Sequence, residues 1–392
     1  MKRSLEALDV RGQRVFVRAD LNVPLDGTGV RDDSRIVSSL PTIRNILDRG
    51  GRVVLGSHLG RPHGSVCPEL SMAPVAARLS HRLGLKVRLA PDSVGSRSEH
   101  MSHALGEGEV LLLENLRFHP GEEANDPAHV QALAQLADRY VNDAFGTAHR
   151  AHASTTGLAQ ALPAAAGHLM HAELLALDPI VRGPPEPFAA IVGGAKTSDK
   201  ITLLERLAST AQVLILGGAM ANTFLAETGI DVGESRMEAD ATGRVARIRD
   251  AAKASGCHLL LPVDVIVAKE ATVSACPSTV PVEAVPSGTM ILDVGPASLD
   301  AYTAALSGAR TVLWNGPVGV YELPPFASGT LRLAALLADS LAEVIVAGGD
   351  AVAAAVASGR EDSFSHLSTG GGATLALIEG RELPGVTALP NA

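Results

Sequence analysis

The stretch IVGGAKTSDK, residues 191–200, places two glycines directly after a β-branched apolar run and then two lysines four residues apart. The apolar run predicts a buried strand that ends at the glycines, followed by a helix that starts around Ser198. Lys196 and Lys200 would then lie near the first helical turn, where free backbone N–H groups and the helix dipole favour an anion. The alternative for this stretch alone is an ordinary strand-to-helix turn with two solvated lysines.

The same alternation of short β-branched runs with longer amphipathic stretches extends along the whole chain. One helix is predicted from about Ser34 to Asp48, because apolar residues recur there at helical spacing. Strands that alternate with helices and are apolar throughout predict an α/β fold, with parallel sheets covered by helices on both faces. The predicted strands lie in RVFVRAD, RVVLGS, EVLLLENL and RYVNDAF in the first half, and in AAIVGG, VLILGG, LLLPVDVIV, TMILDVG, TVLWNG and EVIVAGG in the second.

The composition indicates a globular protein of two domains. The 392 residues are too many for one ordinary core, and a hydrophobic content of 46% is ample for burial. The boundary is predicted in VRGPPEPF, residues 181–188, whose proline and glycine cannot continue a helix. The formal net charge of −9 argues against nucleic-acid and anionic-membrane partners, so any anion site must be a local concentration of cations. Three cysteines without metal-ligand spacing, and the lack of an export signal or membrane span, predict a cytoplasmic protein.

Cationic residues accumulate after the predicted strands of the first half. Because the carboxyl ends of parallel strands meet at one edge of a sheet, these side chains would converge on a small, multiply charged anion. The alternative for any single arginine is a surface ion pair with Asp or Glu. The candidates are Arg18, Arg35, His58, Arg61, Arg117, His149, Arg150 and His152.

Glycine pairs follow the strands of the second half instead. Together they favour a nucleotide that lies across the strand ends with its phosphates near a helix N-terminus. Asp350 is the carboxylate best placed to hold Mg²⁺, and Glu322 would accept a hydrogen bond from a ribose. The glycine turns are Gly193-Gly194, Gly217-Gly218, Gly348-Gly349 and Gly370-Gly371-Gly372.

With these residues in place, the chain resembles the phosphoglycerate kinase family over about residues 10 to 385. The motifs that carry the resemblance occur in the family's order: DLNVPLDG, DDSRI, SHLGRP, ENLRF, VNDAFGTAHRAHAS, GGAKTSDKI, LPVD, WNGPVGVYE and STGGGATL. The resemblance implies two Rossmann-like lobes joined by a helix and hinge. It also implies reversible phosphoryl transfer between 1,3-bisphosphoglycerate and ADP, which gives 3-phosphoglycerate and ATP in glycolysis and gluconeogenesis.

The resemblance assigns each lobe its ligand. Residues 1–170 would bind the triose, with the tail 378–392 packed back on them. Residues 171–182 would form the interdomain helix, and residues 183–377 would bind Mg-ATP or Mg-ADP, so Mg²⁺ enters with the nucleotide. The expected protein is a monomer that bends at its hinge and has no nucleic-acid or membrane partner.

Site residues follow position by position from the same resemblance. Catalytic roles are implied for Arg35, Lys196, Gly348 and Gly371. The triose-binding residues would be Asp20, Asn22, Arg35, His58, Arg61, Arg117 and Arg150. The nucleotide-binding residues would be Gly194, Lys196, Lys200, Gly217, Gly218, Asn315, Pro317, Glu322, Gly348, Gly349 and Asp350, with Asp350 also the metal ligand.

Some features depart from the family's pattern. Ala219 and Ala347 replace common glycines, and Ala351 replaces a threonine whose hydroxyl could contact a phosphate. The chemistry itself needs no general base, because a carboxylate nucleophile is ionised at neutral pH. It needs alignment and positive charge around the transferring group. Two alternatives stay open from the sequence: a kinase that acts on another small carboxylate, and a non-catalytic two-lobed binding protein.

Overall fold

The structure is a computed structural model that describes residues 1–27, 29–194, 198–239 and 241–392. The chain divides into two compact units, Met1–Leu175 with Arg381–Ala392 and Ala176–Gly380. The division falls inside the helix His168–Arg182. Across the described ranges, none of the helices is both long and apolar enough to cross a membrane.

The first unit is built on a parallel sheet with six strands in the described part of the chain. The strand Arg14–Arg18 pairs with Arg52–Gly56 on one side and with Arg139–Asn142 on the other. Its apolar residues 15–17 are fully buried, as expected for a strand of a parallel sheet with both faces covered. Across the sheet the strands follow the order Val87–Leu89, Val110–Leu112, Arg52–Gly56, Arg14–Arg18, Arg139–Asn142 and Ala164–Ala166.

Amphipathic helices pack against this sheet. The helix Ser34–Asp48 has the predicted bounds, and its Ile36, Leu40 and Ile43 are buried in the core of the unit, with Leu47 partly buried beside them. The unit also contains the helices Ala73–Leu83, Ser96–His103, Pro120–Glu123, Pro127–Ala134, Leu158–Ala161 and Pro384–Thr387, and the short paired strands Leu25–Asp26 and Gly29–Val30.

The second unit has its own parallel sheet, again of six strands among the residues described. The fully buried strand Phe188–Val192 pairs with Val213–Leu216 on one side and with Thr311–Asn315 on the other. Numbered along the chain, the strand order is 3-2-1-4-5-6, the Rossmann order, which opens a crevice beyond the ends of the two central strands. Across the sheet the strands are His258–Leu260, Val213–Leu216, Phe188–Val192, Thr311–Asn315, Glu343–Val346 and His366–Leu367.

The helix predicted to start around Ser198 consists of a short 3₁₀ turn followed by an α-helix. A 3₁₀ turn covers Ser198–Lys200, and the α-helix proper covers Ile201–Thr210, whose Leu203, Leu204 and Leu207 are buried. The other α-helices of the unit are Gly218–Ala226, Thr242–Ser255, Pro296–Leu306, Ser328–Ala338, Gly349–Ala357 and Gly372–Ile378.

Two apolar runs that were predicted as parallel strands pair differently. Asp264–Ala268 is antiparallel to both Ser278–Pro281 and Met290–Val294, and the three form a separate sheet. The run LLLPVDVIV is interrupted at Pro262, so that only its first part joins the parallel sheet as the strand His258–Leu260. The prediction was wrong here because an apolar run records burial and not the direction of its partners.

Candidate active site

Arginine side chains surround His58 at the carboxyl edge of the first sheet. Burial, and the positive charges of these arginines, hold the pKa of His58 well below its usual value. Arg18 ends one strand, while His58, Arg117 and Arg150 follow three others, and the four strands are consecutive in the sheet. The arginines that act on His58 are Arg18, Arg117, Arg150 and Arg35. The structure thus brings together most of the predicted triose-binding residues.

The loop that carries Arg61 is held by two other predicted residues. Oδ1 of Asn22 accepts a hydrogen bond of 2.9 Å from the backbone N–H of Gly60, and Nη1 of Arg117 donates to the Gly60 carbonyl at 2.9 Å. Arg61 follows directly and is exposed. Asp20 accepts a hydrogen bond from Arg35. Asn22 therefore holds the backbone of the loop that carries Arg61, and Asp20 holds the side chain of Arg35.

The positive charge of this site lies on its arginines and not on its histidines. Burial and Arg117, with further arginines beyond it, lower the pKa of His152 to about 4, and burial with Arg150 also lowers the pKa of His149. Arg117 is itself buried, and its Nη2 has no hydrogen-bond partner in the described part of the chain. A buried guanidinium with an unused donor is what an anion such as phosphate or carboxylate would pair with.

Sequence reasoning missed two residues beneath this cluster, Glu122 and Ser154. Glu122 is fully buried and accepts hydrogen bonds from both the backbone N–H and the hydroxyl of Ser154, at 3.0 and 2.6 Å. Burial raises the pKa of Glu122. Its neighbour Glu123 is partly exposed and pairs with Nε of Arg117 at 3.0 Å. The sequence shows two adjacent glutamates, but it does not show that Glu122 is buried while Glu123 is exposed.

The second unit contains a cavity of about 400 Å³ beyond its strand ends. Five residues predicted to bind the nucleotide line it, together with Ala219, one of the departures from the family's pattern. Its apolar wall was not predicted, since it comes mostly from the antiparallel sheet and the turn before it. The predicted lining residues are Gly194, Gly218, Pro317, Glu322 and Asp350, and the apolar wall includes Pro262, Val265, Met290, Leu292 and Val294.

The crevice in the Rossmann sheet depends on close backbone approach at Gly193. A Cβ at that position would lie 1.9 Å from the carbonyl oxygen of Pro317, so no larger residue fits without moving the backbone. The N–H of Gly193 donates to the carbonyl of Asn315 at 2.9 Å, which ties the ends of the two central strands together. The first glycine of the pair is therefore required by packing, while Gly194 lines the cavity.

The other predicted nucleotide-site residues that the structure describes lie at neighbouring strand ends, outside the cavity lining. Nζ of Lys200 donates to the carbonyl of Gly193 at 2.8 Å, and Nδ2 of Asn315 donates to that of Ala347 at 2.7 Å. Gly348 and Gly371 have left-handed φ values of 93° and 51° and directly precede helices. Gly217 and Gly349 lie beside Gly218 and Gly348, and Lys196 is outside the described residues.

The donor set of the cavity fits a nucleotide-bound Mg²⁺. Asp350, the predicted metal ligand, lines the cavity, and carboxylate oxygens are ligands that Mg²⁺ prefers. Among the residues described, no group of three or more His, Cys, Asp or Glu could hold a metal by itself. The ion would take its remaining ligands from phosphate oxygens and water, as Mg²⁺ commonly does in nucleotide sites.

The sequence profile of the phosphoglycerate kinase family matches residues 5–381. The chain belongs to this family. It is 50% identical to the cytosolic phosphoglycerate kinase of Triticum aestivum, with 100% of this chain and 99% of the wheat protein aligned. It is also 50% identical to the phosphoglycerate kinase of Moorella thermoacetica, with 99% of each chain aligned.

Solved phosphoglycerate kinase structures share the fold. The enzyme from Coxiella burnetii superposes with a TM-score of 0.90 at 40% identity and covers 99% of this chain and 98% of its own. The enzyme from Pyrococcus horikoshii gives 0.85 at 31% identity, with the same coverage. The predictions of a two-lobed α/β fold and of a phosphoglycerate kinase, a phosphotransferase of glycolysis, are confirmed.

Ala347 and Ala351, two of the residues that depart from the family's pattern, are buried in the second unit. Ala351 is fully buried in the core, with its methyl group on the apolar side of the helix Gly349–Ala357. Ala347 is also buried, and its carbonyl accepts the hydrogen bond from Asn315. Position 351 therefore contributes to core packing in this phosphoglycerate kinase family member.

Proposed function

We propose that the first unit binds 3-phosphoglycerate or 1,3-bisphosphoglycerate and that the second binds Mg-ATP or Mg-ADP. The observation that carries the first assignment is the group of arginines around the buried, neutral His58. In a chain of net charge −9, such a cluster is a specific anion site and not part of a generally basic surface. The cavity lined by Asp350 and Glu322 supports the second assignment.

The transfer itself would be in line and without a general base. The attacking carboxylate of 3-phosphoglycerate is ionised at neutral pH, so the residues need only align it and stabilise the negative charge of the transferring group. Arg35 would do so from the triose side and Lys196 from the nucleotide side. Mg²⁺, when bound, neutralises charge on the phosphate oxygens.

Because each substrate is assigned to a different unit, the reaction requires a closing motion about the hinge. Either substrate alone would bind, and closure would need both. Small-angle scattering tests this, since the radius of gyration should fall fully only with both substrates present. A full decrease with nucleotide alone would contradict the proposal.

The substrate assignment is tested by a coupled assay with ATP and 3-phosphoglycerate, acetate or glutamate as phosphoryl acceptor. Turnover is expected with 3-phosphoglycerate, whose phosphate and carboxylate both match arginine donors. Turnover with acetate or glutamate at a comparable kcat/KM would favour a different acyl-phosphate kinase. We further propose that the protein acts as a monomer in the cytoplasm, which agrees with the cytosolic description of the wheat relative.

A further inference from the structure

A chain of hydrogen bonds runs beneath the arginine cluster from Glu122 to His58. Oε1 of Glu122 accepts from the hydroxyl of Ser154 at 2.6 Å, and the same hydroxyl oxygen accepts from Nε of Arg18 at 2.8 Å. Nη2 of Arg18 then lies 3.2 Å from Nδ1 of His58. All four side chains are buried, with His58 the most exposed at 5%. Buried networks with every partner in place hold their members in one geometry.

The direction of each bond follows from which groups can donate. A guanidinium has donors only, so Nδ1 of His58 must be the acceptor in its contact with Arg18. Nη1 of Arg18 also donates to the carbonyl of Ala19, which gives each nitrogen of the guanidinium an acceptor. The Ser154 hydroxyl accepts from Arg18 and therefore uses its own proton toward Glu122.

These directions determine the state of the imidazole. With Nδ1 accepting, the ring proton of a neutral histidine lies on Nε2. No described residue makes a hydrogen bond to Nε2. His58 can therefore present an N–H donor within the arginine cluster, whereas the other tautomer would present a lone pair that repels an anion.

We propose that Glu122 and Ser154 are positioning residues that hold His58, through Arg18, as the Nε2–H tautomer and so make it a hydrogen-bond donor to the bound triose. The inference rests on the proposed function for the identity of that anion. The hydrogen-bond chain itself can be tested without any substrate.

The first test is ¹⁵N NMR of the histidine rings in the full chain without ligand. The His58 signals are assigned by their loss in His58→Gln. In the wild type we expect a protonated Nε2 and an unprotonated Nδ1 that is shifted by the hydrogen bond it accepts. In Ser154→Ala the Nδ1 signal should move to the value of a ring nitrogen without that bond. A proton on Nδ1 in the wild type, or identical His58 signals in the two proteins, would overturn the inference.

The second test is binding, measured by calorimetry. Ser154→Ala should weaken 3-phosphoglycerate about tenfold, the effect of one lost positioning hydrogen bond, and leave Mg-ADP binding unchanged. Glu122→Gln should also weaken 3-phosphoglycerate binding. The glutamine has one side-chain oxygen and cannot accept from both the N–H and the hydroxyl of Ser154. The control is Ser98→Ala in the same unit, a buried serine whose hydroxyl donates to the backbone oxygen of Asp92 at 2.8 Å.

The two tests separate failure of this inference from failure of the proposed function. If the wild type does not bind 3-phosphoglycerate, the proposed function is wrong, while the NMR result still decides the hydrogen-bond chain. If the wild type binds it and Ser154→Ala binds it equally well, the positioning role is refuted.

Discussion

The carboxylate of Asp20 accepts a 2.6 Å hydrogen bond from Nη1 of Arg35. The contact joins the loop after the strand Arg14–Arg18 to the first turn of the helix Ser34–Asp48. Asp20 is largely buried, whereas the Arg35 side chain is 39% exposed. The aspartate therefore orients the arginine while leaving further guanidinium donors for an anion.

We predict that Arg35→Ala lowers kcat by about 10²–10³, the usual effect of losing one preorganised contact to transition-state charge. The dissociation constants of both substrates should change only slightly, because the contact is proposed to form mainly during transfer. Steady-state kinetics with separately measured affinities provide the test. Asp20→Asn, which keeps the shape but loses the charge that orients Arg35, should give a smaller decrease in kcat. A near-normal kcat in Arg35→Ala would refute its catalytic role.

A second prediction separates the two lysines of the opening motif. Lys196→Ala should resemble Arg35→Ala and lower kcat with little change in substrate affinity. Lys200→Ala should mainly raise the KM for ATP, because Lys200 is held beside Gly193 at the strand end and is proposed to contact phosphates that are not transferred. The same kinetic measurements on both variants decide this. The assignment fails if weaker ATP binding is the sole defect of Lys196→Ala.

The sequence predicted which segments are buried and where strands end. It did not predict which strands pair with one another. The helix Ser34–Asp48 and the strand that carries Arg18 follow from local periodicity, which reflects only which face of an element is buried. The strand Ala164–Ala166 was missed, since alanine has no β preference and only the neighbouring strand makes it extended. The antiparallel pairing of Met290–Val294 with Asp264–Ala268 was also missed, because the partner of a strand is a tertiary property that its own residues do not determine.

For the site, too, the sequence predicted local features but not contacts between residues that are far apart in the chain. The arginines after the first strands could be predicted to converge, because a parallel sheet brings its strand ends to one edge. The burial of Glu122 could not be predicted, because it depends on Ser154, which lies 32 residues further along the chain. Sequence patterns thus identify groups that contact a ligand more readily than the groups that hold them in place.

A third prediction concerns Asp350 and Mg²⁺. If this carboxylate holds the ion, Asp350→Ala should weaken Mg-ATP, raise the Mg²⁺ concentration needed for activity and leave the affinity for 3-phosphoglycerate nearly unchanged. Calorimetric titration of each ligand, at several Mg²⁺ concentrations for the nucleotide, gives the comparison. An equal loss of affinity for both ligands would instead assign Asp350 a structural role.

A fourth prediction follows from the close approach at Gly193. Gly193→Ala should lower the Tm and strongly weaken ADP binding, because the new methyl group would overlap the Pro317 carbonyl and force the two strand ends apart. Thermal unfolding and ADP calorimetry provide the measurements.

The matched control for Gly193→Ala is Gly243→Ala in the helix Thr242–Ser255. An added Cβ there has no heavy atom within 4 Å, and alanine favours a helix over glycine by about 0.5–1 kcal/mol. This variant should keep its ADP affinity and be equally or slightly more stable. If Gly193→Ala behaves like this control, the close approach is not a constraint on the nucleotide site.

The last prediction is a pH dependence of stability that originates at Asp293, a buried residue in the lining of the nucleotide cavity. Burial raises its pKa to about 7, although the carboxylate accepts hydrogen bonds from the backbone N–H groups of Gly329 and Val294 at 2.6 and 2.9 Å. The folded state thus binds this proton more tightly than the unfolded state. Protonation of Asp293 therefore stabilises the folded state. This contribution to the free energy of unfolding is complete below pH about 4 and is lost as the pH rises to about 7.

Asp293→Asn removes this titration, so its stability relative to the wild type should rise between about pH 4 and pH 7 and then level off, with a total change on the order of a few kcal/mol. The asparagine can accept from only one of the two N–H groups, which adds a cost that is the same at every pH. Urea unfolding from pH 4.5 to 8 measures the difference through the fluorescence of the single tryptophan, Trp314, which is buried in the same unit. Asp300→Asn, an exposed aspartate in that unit, controls for the general loss of a charge. A stability difference between Asp293→Asn and the wild type that is constant over this pH range would show that Asp293 does not titrate there.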